Sequence, residues 1–310
     1  MIAGLVVLVG LLLIVLPGLA GPSVRLPAAE WARLAGSSLL LGFAAVEVGL
    51  ALVALPTVLR ALHAAGIAAI CEQVLGPLSS GPDAVGWISA SLAIVVGLRG
   101  ALAGRSAYRK ARANEIEPWL GRHVDHGDFE LVVLPTRSLV ALSVPAAPPQ
   151  VLISDGLVDR LDSDQLEAVI RHEATHHRFR HWRFTLLATA VERALVPLPL
   201  VSRSTRSLRT ALEAWADEAA AGCSASGRAV VRDAIVAVSG PVHSLPSRAS
   251  QRDVDERTRR LEGVPDVGAF VLRAAMHAPV LMLGVAAVAL LAGWVVDAHH
   301  ATALAGYCPD

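Results

Sequence analysis

The pentapeptide at 172–176 combines residue types and a spacing that can bind a metal ion and activate water. His172 and His176 are four residues apart, so on a helix their imidazoles lie on one face, about one turn apart. Glu173 lies about 100° round the helix from His172, where it can accept a proton from water without binding the metal. This is the physical basis of the HExxH zinc motif. The alternative is a charged, solvent-exposed helix face, because His177 and His181 follow.

A catalytic zinc ion usually has three protein ligands and one water. The metzincin pattern requires a glycine at position 179 and takes its third ligand from a histidine at position 182, but this chain has Phe179 and Trp182, which excludes that class. His181 lies about 140° round an uninterrupted helix from His176. We therefore expect His181 to point away from the metal.

A second helix, predicted over 205–222, offers a better third ligand. Glu213 and Asp217 are four residues apart and share a face. We expect Glu213 to bind the metal and Asp217 to orient an imidazole N–H. An E-x-x-x-D pattern is common by itself, and two solvated surface acids are the alternative. The pattern gains weight because it follows the first motif by about 40 residues, across an apolar link (182–204) that we expect to cross the core and reverse.

The remaining elements of this region predict a small α+β domain. Apolar runs at 129–134, 139–144 and 150–154 predict a small antiparallel sheet, with 139–144 as the edge strand that receives an extended substrate. The HExxH helix is expected over about 163–180. Asp162 and Gln165 have the spacing of a capping box at its start.

Composition places the chain in a membrane. Hydrophobic types make up 54% of the 310 residues, charged types make up 17%, and the mean hydropathy is +0.53. A span needs about 20 apolar residues, and four stretches qualify: about 2–20, 36–58, 84–104 and 275–296. For the first stretch, a retained anchor is favoured over a cleaved signal peptide, because no basic residue precedes it. A formal net charge of zero argues against direct nucleic-acid binding.

Basic residues cluster at one side of these spans, which predicts an orientation in a plasma membrane. We expect three spans in 1–104, a cytoplasmic domain at 105–273, and a fourth span with an outer tail in 274–310, with both termini outside. Cys71 and Cys308 would then share the outer side, where a disulfide can persist. Two free thiols are the alternative.

The pairing of these motifs resembles a known family. HExxH followed by E-x-x-x-D, in a domain between spans three and four, resembles the BlaR/MecR-type antirepressor membrane metallopeptidases, which are gluzincins, and more distantly the HtpX and CAAX-prenyl-protease peptidases. The resemblance rests on VLISDGLVDRLDSDQLEAVIRHEATHH (151–177) and EAWADEAA (213–220). It implies one Zn²⁺ per chain held by His172, His176 and Glu213, with Glu173 as the base and Asp217 in support. Only a short tail follows span four, so we do not expect the penicillin-binding sensor of the best-known antirepressors.

The resemblance also implies partners for the protein, and more than one function is compatible with it. We expect a protein or peptide substrate, such as a winged-helix transcriptional repressor, and the arrangement also allows a homodimer. The leading interpretation is an integral-membrane zinc metalloendopeptidase in regulatory proteolysis at the cytoplasmic face. Membrane-protein quality control of the HtpX type and a non-catalytic zinc-binding receptor are the alternatives. His243 and Arg257 are candidates for stabilising an oxyanion, although a basic helix face beside the membrane is the favoured interpretation of Arg257.

Overall fold

A computed structural model describes residues 2–20, 27–62, 83–112, 121–196, 198–239 and 248–262. Within these ranges the chain is mainly helical and has one small sheet. The helices are α1 (Ile2–Ala20), α2 (Ala28–Ala61), α3 (Asp83–Arg112), α4 (Asp155–Arg160), α5 (Ser163–Arg178), α6 (His181–Ala194), α7 (Pro199–Ala221), α8 (Ala225–Val238) and α9 (Arg248–Glu262). The strands are β1 (Arg122–Asp125), β2 (Glu130–Leu134), β3 (Ala141–Val144) and β4 (Gln150–Ser154). The predicted fourth span, Cys71, Cys308 and His243 lie outside the described residues.

Helices α1, α2 and α3 are long and apolar enough to cross a bilayer, by length and composition. They coincide with the first three predicted spans. Helices α2 and α3 are longer than predicted, at 34 and 30 residues, because their polar ends continue as helix.

The chain divides into two compact units. Of the described residues, 2–16, 37–62 and 83–99 belong to the first unit. The second unit contains 17–20, 27–36, 100–112 and the described residues from 121 to 262, and therefore all strands and helices α4 to α9.

The sheet is mixed, so the prediction of an antiparallel sheet is wrong for one pair. The strand order is β1-β2-β4-β3, and β2 pairs with β4 in parallel. Strands β2 and β4 are apolar and largely buried, which is typical of interior strands. The half-buried β3 lies at the edge, as predicted, and β1 is an additional strand at the opposite edge.

Helix α5 packs on β3 and β4 and against α7. Alternate residues of β2 and β4 face it, and with Leu157, Leu161 and Ile170 they form a buried apolar cluster. The predicted capping box is present, because Asp162 accepts from the Gln165 N–H while Gln165 accepts from the Asp162 N–H. The start of α5 is thereby fixed about three turns before the HExxH motif.

The link between the two motif helices, expected to cross the core and reverse, is mostly helical. It forms α6 and the start of α7, which begins at Pro199, six residues before the predicted start. Proline is favoured at a first helical position, because its fixed φ suits the helix and the backbone N–H it lacks would have no partner there. The two helices α6 and α7 pack against each other, which returns the chain to the face of α5.

Candidate metal centre

Three side chains from two helices converge at the centre of the second unit. His172 and His176 lie on α5, and Glu213 lies on α7. The two histidine Nε2 atoms are 3.1 Å apart. The Glu213 carboxylate oxygens lie 3.5 Å from His172 Nε2 and 3.6 Å from His176 Nε2.

This spacing fits a tetrahedral zinc site. Zinc–nitrogen and zinc–oxygen bonds of about 2.0–2.1 Å place neighbouring tetrahedral ligand atoms about 3.3–3.4 Å apart. The two histidine Nε2 atoms are slightly closer to each other than this value, and each lies slightly farther than this value from one Glu213 oxygen, Oε2 for His172 and Oε1 for His176. One ligand atom from each residue lies within 4.8 Å of the others. The donor set of two imidazoles and one carboxylate leaves a fourth position for water or substrate.

Asp217 orients the first histidine from behind. Its Oδ1 atom accepts from His172 Nδ1 at 2.9 Å, and the Nε2 atom of His172 faces Glu213. Asp217 is only 2% exposed. Arg257 of α9 neutralises it through two hydrogen bonds of 2.7 Å, from Nε and Nη2 to the two carboxylate oxygens. A bidentate pair of this kind fixes the carboxylate in both position and charge.

A different partner supports the second histidine. Nδ1 of His176 lies 2.9 Å from Nδ1 of His181, and the His181 ring is buried. The expectation that His181 points away is wrong, because α5 ends at Arg178. Arg180 then adopts a left-handed conformation (φ 54°, ψ 43°) before α6 begins. The reversal turns His181 back toward the motif.

Glu173 faces the same cleft from the position that the motif predicts. The cleft has a volume of about 440 Å³, and the two histidines, Glu173 and Glu213 line it together with Leu142 and Ser143 of β3. The backbone N–H of Ser143 donates to the Glu173 carboxylate. The edge strand therefore borders the general-base candidate.

Burial and charge set the protonation of these groups without a metal ion. Burial lowers the pKa of His176 to about 4 and raises the pKa of Glu173. Burial also acts to lower the pKa of His172, but hydrogen bonds and charges from Asp217 and Glu213 outweigh it and raise that pKa to about 10. Contact with His172 and the charges of His176 and Arg257 outweigh the partial burial of Glu213 and lower its pKa to about 2.

The same segment of the chain is similar to a known peptidase family. Residues 122–201 match peptidase family M48. The matched segment contains the sheet and the HExxH helix, and it ends before Glu213. It supports a metallopeptidase of this family, whose members are typically zinc-dependent, and the His/Glu group described above suits that chemistry. No curated protein and no solved structure matches the chain.

The structure thus brings together all five site residues singled out from the two motifs: His172, Glu173, His176, Glu213 and Asp217. It adds two residues that sequence reasoning set aside. Arg257 contacts Asp217 instead of forming a free basic face, and His181 contacts His176. No local pattern in the sequence pairs Arg257 with Asp217, and nothing in the sequence marks the reversal at Arg180.

Proposed function

We propose that the chain is an integral-membrane zinc metalloendopeptidase. The observation that carries the proposal is the convergence of His172, His176 and Glu213 at 3.1–3.6 Å, with Glu173 on the same cleft. When bound there, zinc would supply Lewis acidity, which activates water and polarises the scissile carbonyl. His172, His176 and Glu213 would hold the ion.

Residues of the chain would perform the proton transfers and bind the substrate. Glu173 would take a proton from the attacking water and pass it to the leaving amine. Burial raises the pKa of Glu173. A carboxyl group with a raised pKa is better matched to accepting a proton from water and then releasing it to the amine. An extended peptide would pair with the edge of β3 that no described strand covers and place its scissile bond over the two histidines.

The regulatory role, the substrate and the orientation belong to the same proposal. The basic last turn of α3, with Arg109, Lys110 and Arg112, supports a cytoplasmic peptidase unit in a plasma membrane. The two-motif resemblance supports a protein substrate such as a winged-helix repressor. Cleavage of membrane proteins instead would favour the quality-control alternative.

Exchanging the proposed base tests this function. In the purified full-length protein, Glu173→Gln should retain one zinc per chain, measured by elemental analysis. It should lower hydrolysis by at least about 100-fold, because the proton acceptor is lost. In cells, new protein N-termini found with the wild type should disappear with Glu173→Gln, and their sequences would identify the substrate.

Glu167→Gln is the matched control, because Glu167 lies on the same helix, is exposed and pairs only with Arg171 among the described residues. It should leave zinc content and hydrolysis unchanged. A Glu173→Gln protein that produces the same N-termini and the same cellular response as the wild type would favour the non-catalytic receptor instead.

A further inference from the structure

The proposed mechanism gives no role to His181, although this residue contacts the metal-ligand candidate His176. The short turn after α5 brings its Nδ1 atom to 2.9 Å from His176 Nδ1. The ring is only 1% exposed. Through this contact a buried imidazole can act on the site by way of the metal-ligand candidate His176.

Aromatic neighbours in the turn after α5 and on α7 pack against the His181 ring. The ring centroid of Trp215, on α7, lies 4.7 Å away, and that of Phe179 lies 6.3 Å away. The rings of Phe179 and Trp215 also pack on each other, with centroids 4.7 Å apart. His181 therefore presents its Nδ1 atom to His176 from a rigid setting.

The contact between the two Nδ1 atoms requires that one donates and the other accepts. The Nε2 atom of His176 faces His172 Nε2 and Glu213, so its lone pair is the one available for a metal ion. A neutral His176 then carries its proton on Nδ1 and must donate it. The acceptor in reach is His181 Nδ1, which places the proton of His181 on Nε2.

We propose that His181 is a positioning residue that fixes the tautomer and the ring orientation of His176 for metal binding. This inference rests on the proposed zinc site. Hydrogen bonds from the second nitrogen of a ligand histidine usually go to a carboxylate, a carbonyl or water. Here a neutral imidazole takes that place for His176, whereas the carboxylate of Asp217 serves His172. The Nε2 atom of His181 has no hydrogen-bond partner among the described residues, so the ring serves His176 through Nδ1 alone.

The substitutions His181→Asn and His181→Gln place an amide oxygen at different positions, so they separate the effect of the acceptor's position from the effect of packing. His181→Asn places a carbonyl oxygen near the former Nδ1 position, so its zinc dissociation constant should stay within about threefold of wild type. His181→Gln moves the oxygen toward the former Nε2 position, and His181→Phe keeps a ring but has no acceptor. Both should weaken zinc binding by about 10–100-fold, which is the usual effect of losing such a partner.

The readouts are the zinc dissociation constant, from competition with a chelator, and the visible spectrum of bound Co²⁺, both in the full-length protein in detergent. His181→Asn should give the wild-type Co²⁺ spectrum, and His181→Gln should change it. Equal zinc affinity for the Asn and Gln variants, or wild-type affinity for His181→Phe, would overturn the inference. The Asn and Gln pair decides the matter even if the Phe variant does not fold.

A third substitution separates this inference from the zinc site itself. His176→Ala should abolish high-affinity zinc binding. If it binds zinc as the wild type does, the proposed metal site is wrong. If it loses zinc while His181→Gln binds zinc normally, the site stands and only the role of His181 is refuted.

Discussion

His172 and His176 are supported by partners of different charge. An ionised carboxylate, itself held by Arg257, accepts from His172. A buried imidazole faces His176. A carboxylate makes its histidine a more basic ligand than a neutral acceptor does. We therefore expect His172 to be the stronger of the two imidazole ligands and the one more sensitive to loss of its partner.

Asp217→Asn tests this expectation. The amide keeps the shape of the carboxylate but removes its charge, so we expect the zinc dissociation constant to rise about 10–100-fold. Arg257 is partly buried. Among the described residues it would keep one acidic neighbour within 4 Å, Glu213 at 3.6 Å. We expect the free energy of unfolding to fall by about 3 kcal/mol. Chelator competition and thermal unfolding of the full-length protein measure the two effects.

The control for this substitution is Asp233→Asn. The side chain of Asp233 is 54% exposed and pairs with its neighbour Arg232, so neither zinc affinity nor stability should change. Wild-type zinc affinity in Asp217→Asn would show that the charge of Asp217 does not strengthen His172 as a ligand.

Residue spacing within helices predicts most side chains of the metal centre. The other two, Arg257 and His181, reach it through packing that the sequence does not show. His172, Glu173 and His176 follow from one helical turn, and Glu213 and Asp217 from another. Arg257 reaches Asp217 from 40 residues further along the chain, a pairing that no local pattern encodes. His181 was missed because Arg180, neither glycine nor asparagine, adopts a left-handed conformation.

At the scale of elements, α1 and α2 approach closely at paired glycines within the first unit. A Cβ atom added at Gly42 would lie 2.7 Å from the carbonyl oxygen of Gly10, and one added at Gly10 would lie 2.7 Å from that of Gly42. Ser38 Oγ donates to the Leu13 carbonyl across the same pair of helices at 2.6 Å. Small residues and interhelical hydrogen bonds of this kind stabilise helix pairs in lipid.

Gly42→Leu should separate this pair. The new side chain has no room at Gly10, and overpacking typically costs about 1–3 kcal/mol. We expect a lower thermal unfolding midpoint in detergent. Gly4→Leu is the matched control on α1, because a Cβ atom at Gly4 would meet nothing within 4 Å. Equal midpoints for the two variants would contradict the close approach of the helices.

Strand positions were predictable from the sequence, but strand pairing was not. The apolar runs predicted β2, β3 and β4 to within two residues at each end. The runs do not specify that β4 returns between β2 and β3, because an apolar run indicates an extended, buried segment and not the strands with which it pairs. Strand β1, RHVD, was missed because its only apolar residue is Val124.

At the scale of the whole molecule, the start of α2 belongs to the unit that carries the metal centre. The backbone N–H of Ala28 donates to Glu218 at 2.9 Å, and the indole of Trp31 donates to Ser207 at 3.2 Å. Both acceptors lie on α7, the helix of Glu213 and Asp217. A segment more than 170 residues earlier in the chain therefore helps to hold the helix that supplies the third ligand candidate.

Trp31→Ala tests this long-range support. Trp31 is 1% exposed, and truncating a buried tryptophan costs about 3–5 kcal/mol. We expect the unfolding midpoint to fall and zinc affinity to fall with it, since the helix that carries Glu213 loses a buried packing partner. Trp87→Ala is the control, because Trp87 lies on α3 and is 49% exposed. Melting curves with and without zinc measure both effects. Equal behaviour of the two variants would mean that the start of α2 contributes no stability to the metal centre.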